Sequence, residues 1–217
     1  MDRTSRIVMI PPLELRGILM PPEAGRGVVI FAHGSGSSRL SPRNTAVAAA
    51  LWQAGLGTLL FDLLLPQEGE DRSKVFDIGL LAQRLVQATD WLLSPAGLGG
   101  AVPVGYFGAS TGSAAALVAA GERADAVQAV VSRGGRPDLA RPEALRRVTM
   151  PTLLIVGRLD QEVLALNRAA AADLAGEHQL AVVEGASHLF EEPGTLETVT
   201  RLAAEWFDTR LAREERA

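Results

Sequence analysis

The sequence of 217 residues contains no cysteine. Without thiols the chain cannot form disulfides, thiolate metal sites or a cysteine nucleophile. Only three histidines are present, and they lie far apart along the chain. Because no H-x-x-x-H spacing and no carboxylate cluster accompanies them, no metal site is predicted. We therefore expect a protein that uses neither a metal nor any other cofactor.

A basic surface and a long apolar run are also missing. Asp and Glu number 25 against 21 Lys and Arg, which gives a formal net charge of −4. Nucleic-acid binding requires clustered positive charge, so no nucleic-acid partner is expected. No stretch reaches the roughly 18 apolar residues of a membrane span, and the polar residues 1–6 are unlike a signal peptide. A cytoplasmic protein without a membrane partner is expected; composition gives no indication of the oligomeric state.

What the chain does contain is an alternation of short apolar runs with segments of helical periodicity. This alternation favours an α/β fold with a mostly parallel sheet and helices on both faces. The predicted strands cover residues 7–10, 13–20, 27–32, 58–61, 102–107, 126–131, 152–156 and 179–183. The predicted helices cover residues 44–54, 74–93, 113–120, 141–147, 163–174 and 195–211. We expect residues 1–217 to form a single domain, and the polar segment 63–73 to be a solvated surface loop.

The clearest chemical motif is GASTG at residues 108–112. It follows an apolar strand and opens an Ala-rich helix, the context in which G-x-S-x-G forms a sharp turn bearing a nucleophilic serine. The tight turn admits only small neighbours and raises the Ser110 hydroxyl above the sheet, beside the N-terminus of the next helix. Ser110 is therefore the predicted nucleophile. The alternative is a glycine-rich turn with a buried serine.

A serine hydroxyl needs a base, and position along the predicted strands selects one histidine. Sites in parallel sheets form outside the carboxyl ends of the strands. His178 precedes the last predicted strand and so lies at the opposite edge, whereas His188 follows that strand. His33 belongs to the loop after the strand at residues 27–32. His188 is therefore the predicted base.

The acid that orients this base is predicted to be Asp160. It ends the GRLD segment at residues 157–160, at the carboxyl end of another predicted strand. The order Ser110, Asp160, His188 along the chain is the order expected for a triad on this type of sheet. Glu162, two residues further on, is the alternative acid.

Two backbone N–H groups are expected to stabilise the oxyanion of the tetrahedral intermediate. One belongs to Thr111, directly after the nucleophile, and the other to Ser35, whose glycine neighbours allow its amide to turn inward. His33, a candidate for substrate binding, is expected to anchor this loop by a side-chain hydrogen bond. The alternatives for the loop are a flexible polar loop and a phosphate cradle, but the lysine that a phosphate cradle of the G-x-x-x-x-G-K-[ST] type needs is missing.

Arg133 follows a predicted strand at the same edge and is a candidate for binding a substrate carboxylate through its planar guanidinium. The alternative is an arginine that pairs with a local acid such as Asp138 or lies exposed. Residues 132–151 have room for one short helix and no cap domain. A shallow, open site is therefore expected, suited to short acyl chains or the exposed end of a larger molecule.

Together these motifs resemble those of the α/β-hydrolase superfamily, and most of all its cap-less, dienelactone-hydrolase-like branch. The resemblance covers nearly the whole chain from Gly27 onward, through HGSGSS at residues 33–38, GYFGASTGS at 105–113, GRLD and GASHLF at 185–190. It implies the α/β-hydrolase fold and places Ser35 and Thr111 where that superfamily has its oxyanion donors. Dienelactone hydrolases usually have a cysteine nucleophile, so Ser110 favours ester-like substrates here.

The expected function is a carboxylesterase-like hydrolase that cleaves small or accessible carboxylic esters through an acyl-enzyme. Its partner would be a small ester-like substrate. Thioester cleavage or acyl transfer, and lactone hydrolysis of the dienelactone type, are alternatives with the same chemistry. A non-catalytic binding module with the same fold is the third interpretation, because a fold does not guarantee activity.

Overall fold

A computed structural model describes residues 4–212 of the chain, which share one eight-stranded sheet. The strands are β1 (Arg6–Ile10), β2 (Leu15–Met20), β3 (Val28–Ala32), β4 (Gly57–Phe61), β5 (Val104–Ala109), β6 (Val127–Arg133), β7 (Thr152–Gly157) and β8 (His178–Val183). They lie in the order β1-β2-β4-β3-β5-β6-β7-β8. The β1–β2 and β2–β4 pairs are antiparallel and the other pairs are parallel. The predicted α/β class, with a mostly parallel sheet, is confirmed.

Helices cover both faces of this sheet. They are α1 (Pro42–Gln53), α2 (Pro66–Gly69), α3 (Arg72–Val75), α4 (Ile78–Leu93), α5 (Thr111–Glu122), α6 (Pro142–Leu145), α7 (Gln161–Ala171) and α8 (Thr195–Asp208). The core on one face contains α4 and α5, and the core on the other contains α1 and α8. Strand β3 is buried at every position, as a strand covered on both faces must be, and this explains its continuous apolar sequence.

The helix predicted at residues 74–93 is divided into α3 and α4. The division falls at Phe76 and Asp77, where the Asp77 side chain accepts a hydrogen bond from the backbone N–H of Leu80. An aspartate that bonds the third N–H in this way is an N-cap, so α4 begins anew there. The short helix α3 is therefore an element separate from α4.

The connection between β6 and β7 is short and contains no cap. It consists of a 3₁₀ turn at Pro137–Leu139 and the four-residue helix α6. The carboxyl edge of the sheet therefore has no inserted domain above it within residues 4–212, as predicted. Nor does any helix in this part of the chain combine the length and apolarity needed to cross a membrane.

Candidate active site

Ser110 lies at the sharp turn between β5 and α5. Its backbone has φ 50° and ψ −122°, a conformation that costs a non-glycine residue energy and marks functional sites. Its N–H donates to the carbonyl of Arg133 at 3.2 Å, and its own carbonyl accepts from the N–H of Arg136 at 3.1 Å. The loop after β6 thus braces the turn, and the half-buried Ser110 side chain lies at the carboxyl edge of the sheet.

The glycines that flank this turn are required by close backbone approach. A Cβ atom placed on Gly112 would lie 2.3 Å from the carbonyl oxygen of Ala32. One placed on Gly108 would lie 2.5 Å from the Cα of Ser113. Such distances are shorter than van der Waals contact, and the nearby atoms are backbone. The turn therefore exists in this form only with glycine at both positions.

Asp160 and His188 are in direct contact. Asp160 Oδ2 lies 2.6 Å from His188 Nδ1, the geometry of a hydrogen bond that the ring donates to the carboxylate. The loops that bear the two residues are joined by backbone bonds, including one of 3.0 Å from Leu159 N to Ala186 O. Glu162, the alternative acid, is exposed at the start of α7. With Nδ1 protonated, His188 Nε2 is free to accept a proton.

The loop after β6 contacts both His188 and the turn at Ser110. A Cβ on Gly134 would be 3.6 Å from Cε1 of the His188 ring, while Arg136 two residues later bonds the Ser110 carbonyl. Within residues 4–212 the Ser110 hydroxyl makes no direct hydrogen bond to the ring. Catalytic bonds of this type are commonly long without substrate and tighten when it binds. The structure therefore brings Asp160 and His188 into contact, and the loop after β6 connects them to the turn at Ser110.

The two residues expected to supply oxyanion donors are also in contact. The N–H of Ser35 donates to the side-chain hydroxyl of Thr111 at 2.8 Å, and Thr111 is buried. Sequence reasoning considered only the backbone of Thr111 and missed the role of its side chain. The available signal was the hydroxyl of the residue directly after Ser110.

His33 joins the loops after β3 and β4. Its Nε2 accepts from the N–H of Leu63 at 3.1 Å, and its Nδ1 is 3.0 Å from the Gly34 carbonyl, to which it donates. Burial lowers the pKa of the imidazole below its ordinary value, so the ring is neutral at physiological pH. An ion pair between Arg39 and Asp62 spans the same two loops. Together these contacts fix the loop that contains Ser35.

Arg133 is buried beneath the segment that follows His188. Its guanidinium lies 5.9 Å from the centre of the Phe190 ring and 3.4 Å from Asn44 Oδ1. Burial, with the charge of Arg43 nearby, lowers its pKa to about 10. The expected alternative of an exposed or Asp138-paired arginine is wrong, because Arg133 is only 6% exposed and Asp138 pairs with Arg136.

A cavity of about 430 Å³ adjoins the site on the side of Thr111. It lies between the loop at residues 33–38 and the segment after β4, and it extends to α3 and α4. The expectation that residues 63–73 form a solvated loop is wrong in two respects, because the segment contains helix α2 and because Leu63, Leu64 and Leu65 line this cavity. His33 also lines it, whereas Arg133 does not. A recess thus accompanies the open edge predicted from the absence of a cap.

Sequence reasoning also missed how the loop after β6 is fixed. The buried Asn167 of α7 donates from Nδ2 to the carbonyl of Gly135 at 2.9 Å. A Cβ on Gly135 would lie 2.0 Å from Ser132 Oγ, so only glycine fits there. The signal in the sequence was the consecutive pair Gly134 and Gly135 directly after a strand.

Comparisons with known proteins agree with this geometry. Residues 25–205 match the family described as "Alpha/beta hydrolase domain". A crystal structure of a dienelactone hydrolase from Anabaena variabilis is 55% identical, with TM-score 0.88, over 96% of this chain and 97% of that one. The Est1E structure from Butyrivibrio proteoclasticus is 16% identical, with TM-score 0.78, over 94% of this chain and 98% of that one, a likeness of fold.

Two curated relatives from strains of Mycobacterium tuberculosis are provisionally named as phosphoribosyl transferases. Each is 58% identical over 204 residues, which are 94% of this chain and 46% of the relative. The chain thus spans about half the length of the curated relatives that it matches. The family match, the Anabaena structure and the sheet order lead to one assignment. This chain belongs to the α/β-hydrolase family, in the dienelactone-hydrolase-like branch that its motifs resemble.

Proposed function

We propose that the chain is a serine hydrolase that cleaves small or accessible carboxylic esters through an acyl-enzyme. The main support is the 2.6 Å contact between His188 Nδ1 and Asp160 Oδ2, at the same sheet edge as the Ser110 turn. This contact fixes the ring in the tautomer that has a free Nε2, the arrangement a serine nucleophile requires. Ester cleavage needs only these groups and water.

The reaction would proceed in two halves. Ser110 Oγ bonds to the ester carbonyl carbon while His188 Nε2 takes its proton. The carbon–oxygen bond of the ester then breaks, and the alcohol leaves with the proton from His188. Water next adds to the acyl carbonyl, giving a proton to His188, and the bond to Ser110 Oγ breaks. The acid is released and Ser110 regains its proton from the imidazolium.

Thr111 would stabilise the negative charge on the carbonyl oxygen in both halves. Its N–H is at the N-terminus of α5, where a helix presents free N–H groups and partial positive charge. Its hydroxyl accepts the Ser35 N–H at 2.8 Å and still has its own hydrogen to donate. A donor polarised in this way is stronger than an isolated hydroxyl. We infer that Thr111 offers two donors, its backbone N–H and its hydroxyl. The Ser35 amide polarises the hydroxyl by donating a hydrogen bond to it.

The direct test compares wild type with Ser110→Ala on p-nitrophenyl acetate and butyrate. Loss of a triad nucleophile costs several powers of ten in kcat, so Ser110→Ala should be nearly inactive. Ser5→Ala, at an exposed position outside the site, is the matched control and should retain full activity. Equal rates for wild type and Ser110→Ala would refute the proposal. Failure of a fluorophosphonate to label folded wild type would support the non-catalytic interpretation instead.

Lactone hydrolysis is the second candidate, because a solved structure 55% identical to this chain is described as a dienelactone hydrolase. A lactone is a cyclic ester, so the same steps apply and the leaving alcohol stays attached to the acyl group. Rates on a panel of lactones and open-chain esters, each measured with Ser110→Ala, would separate the two. The transferase name of the curated relatives belongs to proteins of which this chain matches 46%, and we propose no transferase step for Ser110.

A further inference from the structure

We propose that the cavity beside Thr111 binds the acyl part of the substrate and selects uncharged acyl groups larger than acetyl. The proposal rests on the ester-cleaving function above and adds to it the substrate class. Four properties of the cavity support it: its position, its wall, its charge and its rigidity.

The position of the cavity determines which part of an ester can enter it. The leaving alcohol must lie near His188, because that ring protonates it. The cavity is lined by Ser35 and Thr111, on the oxyanion side, and neither Ser110 nor His188 is among its lining residues. Gly34 is in its wall, and a Cβ placed there would lie 3.1 Å from Ser110 Cβ. A group that extends from the ester carbon into the cavity therefore points away from the imidazole and is the acyl chain.

The wall is mainly apolar. Leu63 is fully buried, and Leu64, Leu65 and Val75 present half-buried side chains around the same space. Leu81 of α4 is also part of the lining. The volume of about 430 Å³ is within the range of small-ligand pockets and is far larger than a methyl group needs. Each methylene placed against this wall would leave water and favour binding.

The charge of the lining selects against anionic acyl groups. Asp62 and Glu70 are the charged residues in the lining, and both are acidic. Asp62 is already paired with Arg39, and both nitrogens of His33 are engaged with backbone groups. No arginine or lysine is among the lining residues described for the cavity. A carboxylate carried on the acyl chain would thus lose water without gaining a cation.

The wall is held in place by one half-buried acid, Glu68. Glu68 Oε2 accepts from the N–H of Leu65 at 3.0 Å, and Glu68 Oε1 lies 3.4 Å from Lys74 and 3.5 Å from Arg84. The backbone bond and the two cations lower the pKa of Glu68 below its usual range, so it remains charged. These hydrogen bonds and ion pairs hold residues 63–65 against α3 and α4. The cavity is therefore pre-formed, and acyl binding needs no ordering of a loop.

The test measures kcat/KM for p-nitrophenyl acetate, butanoate, hexanoate and hydrogen succinate, all with one leaving group. From acetate to hexanoate we expect about a fourfold rise for each methylene added. Hydrogen succinate should be slower than butanoate by about tenfold or more, because its carboxylate is not compensated. Hexanoate no faster than acetate, or hydrogen succinate faster than butanoate, would overturn the proposal.

Val75→Phe narrows the cavity at the end of α3. It should abolish the gain with chain length and lower kcat/KM far more for hexanoate than for acetate, whereas Val8→Phe, a matched change at a half-buried valine of β1, should leave the whole series unchanged. Equal loss on acetate and hexanoate in Val75→Phe, or the same loss in Val8→Phe, would contradict the assignment. Leu64→Phe is the second cavity variant if thermal unfolding shows that Val75→Phe does not fold.

If wild type did not hydrolyse p-nitrophenyl acetate, the proposed function would be contradicted, but the proposed acyl pocket would not. Binding of hexanamide to Ser110→Ala, followed by amide NMR shifts, tests the pocket without catalysis. Shifts at Leu63 and Leu65 that are weakened by Val75→Phe are the expected result. No shift at either leucine at saturating hexanamide would overturn the pocket independently of the reaction.

Discussion

Asp160 and Glu162 are separated by two positions at the start of α7, yet their surroundings differ sharply. The Asp160 side chain is 14% exposed and lies 2.6 Å from His188 Nδ1, whereas Glu162 is exposed. Asp160→Asn should lower kcat by about three to four orders of magnitude, because an amide can stabilise the wrong imidazole tautomer. Glu162→Gln is the control and should retain wild-type kcat. A large loss of kcat in Glu162→Gln, with Asp160→Asn still active, would mean that Glu162 and not Asp160 orients His188.

The Thr111 hydroxyl offers a second test at this scale. Thr111→Val keeps the backbone N–H and the shape of the side chain but removes the acceptor of the Ser35 amide and the proposed oxyanion donor. We expect kcat to fall by about two orders of magnitude with KM little changed, the effect of removing one oxyanion donor. Thr111→Ser, which keeps the hydroxyl, should recover most of kcat. If Thr111→Val matched or exceeded wild type, the hydroxyl would instead be blocking the Ser35 amide.

At the scale of elements, local signals predicted the site better than its surroundings. The GASTG motif fixes the turn at Ser110, because the steric demand for small neighbours is contained in five residues. The contact between Ser35 and Thr111 joins residues 76 positions apart and depends on how α5 approaches the loop after β3. The division of the predicted helix at Asp77 could have been found from its capping side chain. The cavity could not, because Leu63, Leu64 and Leu65 begin a segment rich in acidic and other polar residues, a composition that indicates a solvated loop.

The junction between β5 and α5 gives the element-scale prediction. A Cβ on Gly112 would lie 2.3 Å from the Ala32 carbonyl and 2.5 Å from that of His33, so the helix would have to move away from the end of β3 and the loop after it. Gly112→Ala should lower the free energy of unfolding by about 1–3 kcal/mol, as overpacking does, and should reduce kcat as well. Urea denaturation measures the first effect. Gly100→Ala, where no atom lies within 4 Å of the new Cβ, should match wild type in both.

At the scale of the whole molecule, the parallel strands bring distant loops to one edge, and side chains then join the loops. His33 links the loops after β3 and β4, Asp160 and His188 link those after β7 and β8, and Asn167 fixes the loop after β6. The alternation of strands and helices was enough to predict that Ser110, Asp160 and His188 lie at one edge of the sheet. These hydrogen bonds between loops depend on side-chain geometry, which the apolar periodicity of the sequence does not predict. The stability of the site is thus coupled to the global fold through a few polar groups.

The neutral His33 ring makes that coupling dependent on pH. Burial lowers its pKa below the ordinary value of 6.5, so between the two values the unfolded chain binds the proton that the folded chain excludes. The His33 contribution to the free energy of unfolding is therefore fully present above about pH 6.5 and is lost as pH falls, by up to about 1.4 kcal/mol per pH unit, the limit for one proton.

Urea denaturation of wild type between pH 7 and pH 5 should show this loss. His33→Gln, which can still accept from Leu63, should show a flatter dependence, while the exposed-site control His178→Gln should follow wild type. Identical pH dependence in wild type and His33→Gln would mean that the ring takes up its proton without disturbing the fold, and the two loops would then have to be joined mainly by Arg39 and Asp62.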